Sequence, residues 1–169
     1  MEKDELGGEA PCLLPLLDEG GHVAERGPTA RRLVLDEGTI RTLLRVDEVI
    51  PAMERALTDF SAGKVAQPVR SAVPVAEQEG LLYVMPAYAG ALGVKLVTVF
   101  PHNQGVPTHL ATILLFKPET GEPLVTMDGE LITAVRTAAV SAVATRLLAR
   151  PDAAVLALIG AGVQARSHL

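Results

Sequence analysis

Three cations and one glycine turn are the residues of this chain whose types and spacing suit chemistry. Arg70 follows the loop Gln67-Pro68-Val69 at the start of a strand-like stretch. A guanidinium there can grip a carboxylate through two parallel hydrogen bonds. The plainer alternative is a solvated strand end. Lys95 stands inside the apolar run Val94 to Phe100, and strict alternation puts it on one face with Val97 and Val99. A lysine on an apolar face is costly unless solvated or paired. It reads either as an anion-binding or catalytic lysine at a pocket edge, or as a snorkelling side chain on an exposed face. Arg136 sits among Val135, Thr137, Ala138 and Ala139, which leave its guanidinium little shielded. It either faces solvent or points across a cleft toward a phosphate or carboxylate.

The glycine turn comes near the end. The apolar run Ala153 to Ile159 leads into Gly160-Ala161-Gly162-Val163-Gln164-Ala165. This is the pattern of strand, G-x-G-x-x-A, then helix start. The first glycine makes a tight bend, the second lets backbone approach a pyrophosphate, and the third small residue lets helix pack on strand. The phosphates of a dinucleotide then sit on free N–H groups at the helix start. Four residues follow, Arg166 to Leu169, so the motif is expected to open a domain that the chain does not contain.

Other polar residues carry weaker signals. His102 and His109 flank the loop Asn103 to Thr108 without metal-ligand spacing to Cys or acidic residues, and no metal site is expected. Thr108 and His109, at a loop-to-strand junction, read as polar contacts to a ligand. Ser141 and Ser167 lack the flanks of a nucleophile elbow.

The elements that must position these residues follow from periodicity. Residues 1–32 hold Gly7-Gly8, Pro11, Pro15, Gly20-Gly21 and Pro28 and are expected to be a disordered extension. Leu33-Val34-Leu35 is a short strand, and Asp36 caps a helix through about Leu44. Asp47 is expected to cap a second helix to about Ala62, with Pro51 in its first turn. Ile50, Met53, Leu57 and Phe60 would form its buried stripe, and Gly63 would end it. Strands are expected at Val69–Val75, Leu81–Met85, Gly93–Phe100, His109–Lys117 and Leu124–Asp128, with a bend over Pro86–Gly90. Short turns between them imply an antiparallel sheet. Asp128-Gly129-Glu130 opens a long helix to about Arg150, with Ile132, Val135, Ala139, Val143 and Leu147 on its apolar face. The fold class is therefore α+β, with residues 33–150 as one domain and 151–169 as the start of another.

Composition narrows the function. The 169 residues are 49% hydrophobic and 21% charged, a globular balance. The formal net charge of −5 speaks against a nucleic-acid surface. No apolar run of membrane-spanning length is expected, and the acidic start Met1 to Glu5 lacks a secretory n-region. A lone Cys12 suits a reducing compartment. The expected location is cytoplasmic.

Seven stretches together resemble the ornithine cyclodeaminase/mu-crystallin family. They are Gln67–Arg70 (Q-P-V-R), Val84–Tyr88 (V-M-P-A-Y), Lys95–Thr98 (K-L-V-T), Pro107–His109 (P-T-H), Ile113–Phe116 (I-L-L-F), Met127–Ala142 and Gly160–His168 (G-A-G-V-Q-A-R-S-H). The resemblance covers roughly Leu33 to Leu169. It implies a homodimeric enzyme using NAD or NADP, with a substrate-binding and dimerisation domain followed by a Rossmann domain that is cut short here. It implies that Arg70, Lys95 and Arg136 bind the carboxylate of an amino acid or cyclic imino acid. It implies further that Thr108, His109, Arg136, Gly160, Ala161, Gly162, Val163 and Gln164 contact the dinucleotide. The implied reaction is hydride transfer at the α-carbon of an amino acid or its imine. In the cyclodeaminase form ornithine becomes proline and ammonia; in the ketimine-reductase form a cyclic imine is reduced. An alanine dehydrogenase-like enzyme and a non-catalytic, mu-crystallin-like ligand-binding protein are the alternatives. The family's catalytic Asp, in the Rossmann domain, has no counterpart here, so this polypeptide is expected to show no turnover by itself.

Overall fold

Alternating apolar residues build a six-stranded sheet that carries Lys95 on one face. The computed structural model describes residues 33–169; the expectation for residues 1–32 lies outside them. The strands are β1 (Leu33–Leu35), β2 (Ser71–Val75), β3 (Gly80–Tyr88), β4 (Leu92–Val99), β5 (His109–Phe116) and β6 (Pro123–Asp128). Their order across the sheet is β1-β6-β5-β4-β3-β2. All pairings are antiparallel except β1 with β6, which is parallel. That exception corrects the all-antiparallel expectation. The chain leaves β1 and returns to β6 only after two helices and four strands, so no hairpin constrains the direction.

The helices are α1 (Glu37–Leu43), α2 (Val46–Ser61), α3 (Glu130–Leu148) and α4 (Val163–Ser167). Asp36 caps α1 as expected, its carboxylate accepting the Thr39 N–H at 2.8 Å. That hydrogen bond holds the Asp36 carboxyl below the usual carboxylate range. Helix α2 departs from expectation at its start. It begins at Val46 after Arg45, not after Asp47. Arg45 pairs with Asp47 at 3.1 Å and with Glu48 at 3.4 Å, which places both carboxylates in the first turn, where the helix dipole favours them. Pro51 consequently lies in the second turn, and its missing N–H leaves the Asp47 carbonyl without its helical partner. Gly63, at φ +72°, ends the helix as expected.

Strand β3 runs through Pro86, where a bend was expected. Tyr88 exchanges both backbone hydrogen bonds with Ala66, and alternate residues of a strand point the same way. The nitrogen of Pro86 therefore faces the β2 side, where residues 67–70 leave the ladder. A proline fits because no donor is needed there.

Register fixes two faces. Lys95 is opposite Met85 and Ile113, and Val97 is opposite Tyr83 and Ala111. These residues share one face of the sheet. Helix α3 approaches the same face closely. A Cβ placed on Gly129 would lie 2.8 Å from the Ala111 Cβ and 3.0 Å from its carbonyl carbon. The Gly129 N–H also donates to the Ala111 carbonyl at 2.8 Å. Glycine is required there by this contact.

Two apolar expectations fail. On α2, Leu57 and Phe60 are 42% and 54% exposed, so the stripe that begins at Ile50 and Met53 is only half covered. On α3 the buried residues are Ala134, Ala139 and Val143, while Leu147 is 68% exposed. Helix α3 is also long and apolar enough to span a bilayer by length and composition, contrary to expectation. It instead packs on α2, β5 and α4, and Arg146 pairs with Glu54 of α2 at 2.6 Å.

Candidate functional site

Lys95 enters the site from the middle of β4, with ladder partners on both sides. It is half-buried, and its ammonium is held below the usual lysine range by burial first, then by Arg136 and Arg70. The structure thus brings together the three cations singled out in the sequence. Each comes from a different element: Arg70 immediately before β2, Lys95 from β4, Arg136 from α3. Arg70 is placed by a residue that the sequence reading missed. Its guanidinium carbon lies 5.2 Å from the centroid of the Tyr83 ring, close enough for a cation–π contact. The β3–β4 register, which local alternation does not contain, puts Tyr83 and Met85 on the Lys95 side.

Among the described residues, none of the three cations forms a salt bridge. Like charges gathered without a carboxylate partner raise one another's energy unless an anion joins them. A pocket of about 320 Å³ lies beside Arg136, with Val49, Met53 and Ile132 among its lining and Glu48 at the same site. The three cations can bind a small carboxylate, and of the three only Arg136 also lines the pocket.

Thr108 and His109 stand at the other end of the strand. His109 is opposite Val99, four residues along β4 from Lys95, or about 13 Å at strand rise. Both side chains are exposed, with Thr108 Oγ1 3.1 Å from His109 Nδ1. His102 pairs with Glu79 at 2.9 Å on the surface, and no metal-binding cluster exists among the described residues.

The glycine turn follows α3. Gly160 has φ +115°, a conformation that L side chains rarely adopt. No heavy atom lies within 4 Å of a Cβ built on Gly160 or Gly162, so backbone there is open to a ligand's approach. Gly162 caps α4, whose first amides have no helical acceptors. These features fit a pyrophosphate. The expected strand before the turn is not formed. Residues 153–160 pair with nothing, and Val155 and Ile159 are 88% and 102% exposed. A strand exists only through a ladder, and no described strand lies alongside. No hydrogen bond among the described residues joins the turn to Thr108, His109 or the three cations.

Lys95 on the sheet, Arg70 just before β2 and Arg136 on α3 form no salt bridge among the described residues, and a glycine turn follows α3. The family model described as "Ornithine cyclodeaminase/mu-crystallin family" matches residues 31–169. The chain belongs to that family. Ketimine reductase mu-crystallin of Mus musculus is 54% identical over 128 residues, covering 71% of this chain and 41% of that protein. Delta(1)-pyrroline-2-carboxylate reductase of Bacillus cereus is 40% identical over 139 residues, covering 79% and 43%. Among solved structures, Thermococcus litoralis Delta(1)-pyrroline-2-carboxylate reductase, in complex with NADH and L-proline, has TM-score 0.76 and 44% identity, covering 80% of this chain and 43% of that one. An archaeal alanine dehydrogenase dimer with bound NAD has TM-score 0.76 and 36% identity, covering 80% and 42%. The chain spans less than half the length of these relatives.

Proposed function

We propose that the chain is the substrate-binding part of an NAD(P)-dependent oxidoreductase acting on a small amino acid or cyclic imino acid. The observation that carries this reading is the convergence of Arg70, Lys95 and Arg136 without an acidic partner. Its class of substrate is supported by the relatives, among them reductases of cyclic imines and a structure holding L-proline. Arg70, steadied over Tyr83, grips the carboxylate in a fork. Lys95 donates to the same group, and the bound anion favours its charged form. Arg136 completes the cage and faces the apolar pocket that shelters the substrate's body.

The Gly160–Gln164 backbone would hold the dinucleotide pyrophosphate, with Thr108 and His109 as further contacts. When bound, the nicotinamide supplies or accepts the hydride at the substrate's α-carbon. Residues 33–150 serve as the substrate and dimerisation domain, and 151–169 as the start of the cofactor domain.

A homodimer is part of the same proposal. Val73, Leu110 and Leu124, at 49%, 40% and 43% exposure, have the strand parity opposite to Lys95. That face also carries Leu82, Val84, Leu96 and Leu114, and a second copy would cover it.

Isothermal titration tests the substrate reading. L-proline is expected to bind the chain saturably and pyrrolidine, which lacks the carboxylate, is not. Arg70→Gln should weaken L-proline binding at least about tenfold, the scale of a lost charge-assisted pair. Equal binding of the two compounds would overturn the proposal.

A further inference from the structure

Residues 153–169 are tied to the rest of the described chain by very little. Residues 153–160 join no ladder, and the backbone link at their start is a local one, the Ala153 N–H donating to the Arg150 carbonyl. Among the described residues, one side-chain hydrogen bond joins 153–169 to 33–150. It runs between His168, just after α4, and Ser141 in the middle of α3, at 2.8 Å from His168 Nε2 to Ser141 Oγ. Both residues are half-buried. Ala138 and Ala142 lie beside Ser141 on α3, and their small side chains let α4 come close.

The second ring nitrogen is engaged as well. His168 Nδ1 lies 2.6 Å from the Gln164 carbonyl oxygen. A carbonyl can only accept, so Nδ1 carries the hydrogen. In the neutral ring Nε2 is then an acceptor, and the Ser141 hydroxyl donates to it. This arrangement does not make a nucleophile. The nitrogen that would need an acidic partner is held by main chain instead. What the pair does is mechanical: it ties α4, through the Gln164 carbonyl, onto α3.

We propose that Ser141 and His168 form a latch that positions the Gly160–Gly162 turn against α3, making both of them positioning residues for the dinucleotide. The purpose of the latch rests on the dinucleotide reading above. The latch itself rests on the hydrogen bonds. Because α3 also carries Arg136, the latch sets the glycine turn and the substrate cage on one helix.

Amide hydrogen exchange on the whole chain, without nucleotide, tests the latch. Ser141→Ala is expected to speed exchange at residues 166–168 by about three- to tenfold, the range of one lost hydrogen bond. Exchange in β3, β4 and β5 should not change. Ser141→Thr, which keeps the hydroxyl, should restore protection. Ring nitrogen NMR should show His168 protonated at Nδ1 in the parent chain and in Ser141→Thr, and shifted toward the Nε2–H form in Ser141→Ala. Unchanged exchange and unchanged ring shifts in Ser141→Ala would overturn the latch. So would equal loss of protection in Ser141→Thr and Ser141→Ala. An NADH titration separates the two levels. If the parent chain fails to bind NADH while the exchange pattern holds, the dinucleotide reading falls and the latch stands. If NADH binds equally to the parent and Ser141→Ala chains, the positioning role falls.

Discussion

Lys95 concentrates the energetic conflict of the molecule in one side chain. Burial, Arg136 and Arg70 all disfavour its charged form, and its folded-state value lies below 10.5. The unfolded chain therefore binds more protons than the folded one between that lowered value and the usual lysine range. Stability contributed through Lys95 is complete above the unfolded value and is lost as pH falls through the folded one. Lys95→Met should thus raise the denaturation midpoint at neutral pH and flatten its rise toward alkaline pH, while weakening L-proline binding at least about tenfold. Chemical denaturation at several pH values checks this, and a lower midpoint for Lys95→Met would contradict it. The three cations were legible in the sequence because each breaks a local pattern: a lysine in an apolar strand, an arginine at a strand start, an arginine among alanines. Tyr83 was not legible as their companion. Its role depends on how residues 67–70 leave the ladder, and nothing local specifies that.

At the level of elements, α3 is what joins the sheet to the glycine turn. Its start is fixed by Gly129 against Ala111, a contact closer than any side chain allows. Gly129→Ala should cost about 1–3 kcal/mol, as other forced overpacking does, and lower the melting temperature without altering secondary-structure content. A variant as stable as the parent would mean that α3 can shift freely. The surface pair Arg146–Glu54 joins α3 to α2 but is half in solvent. Glu54→Ala should therefore cost less than about 1 kcal/mol, measurable as a small change in midpoint. Most element positions could be read from periodicity, since strands of period two and helices of three to four need only local sequence. The failures have a common cause. Pro86 continues β3 because the neighbouring strand has departed, and residues 153–160 form no strand because none lies beside them. Pairing is a property of two segments, and single-segment patterns do not contain it.

For the molecule as a whole, the exposed apolar side chains are the main unsettled energy. Leu57, Phe60, Val73, Leu110 and Leu124 were read as core or strand-face residues, yet they meet solvent here. The sequence shows that such residues want cover but not whether the cover comes from the same chain. The homodimer proposal assigns the sheet's second face to another copy. Leu110→Glu should then convert a dimer to a monomer in sedimentation velocity at micromolar concentration, and a parent chain that sediments as a monomer would count against the assignment. The substrate cage faces the other side of the sheet, so Leu110→Glu should leave L-proline affinity within about threefold, as expected for distant, independent sites.

The central claim is that Arg70, Lys95 and Arg136 together hold a substrate carboxylate. Its most direct test is the NMR titration of the Lys95 amino group with and without L-proline, using pyrrolidine as the control. L-proline should raise the Lys95 pKa back toward 10.5, saturably and only while Arg70 is present, and pyrrolidine should leave it lowered. A Lys95 titration curve that L-proline does not move would contradict the account.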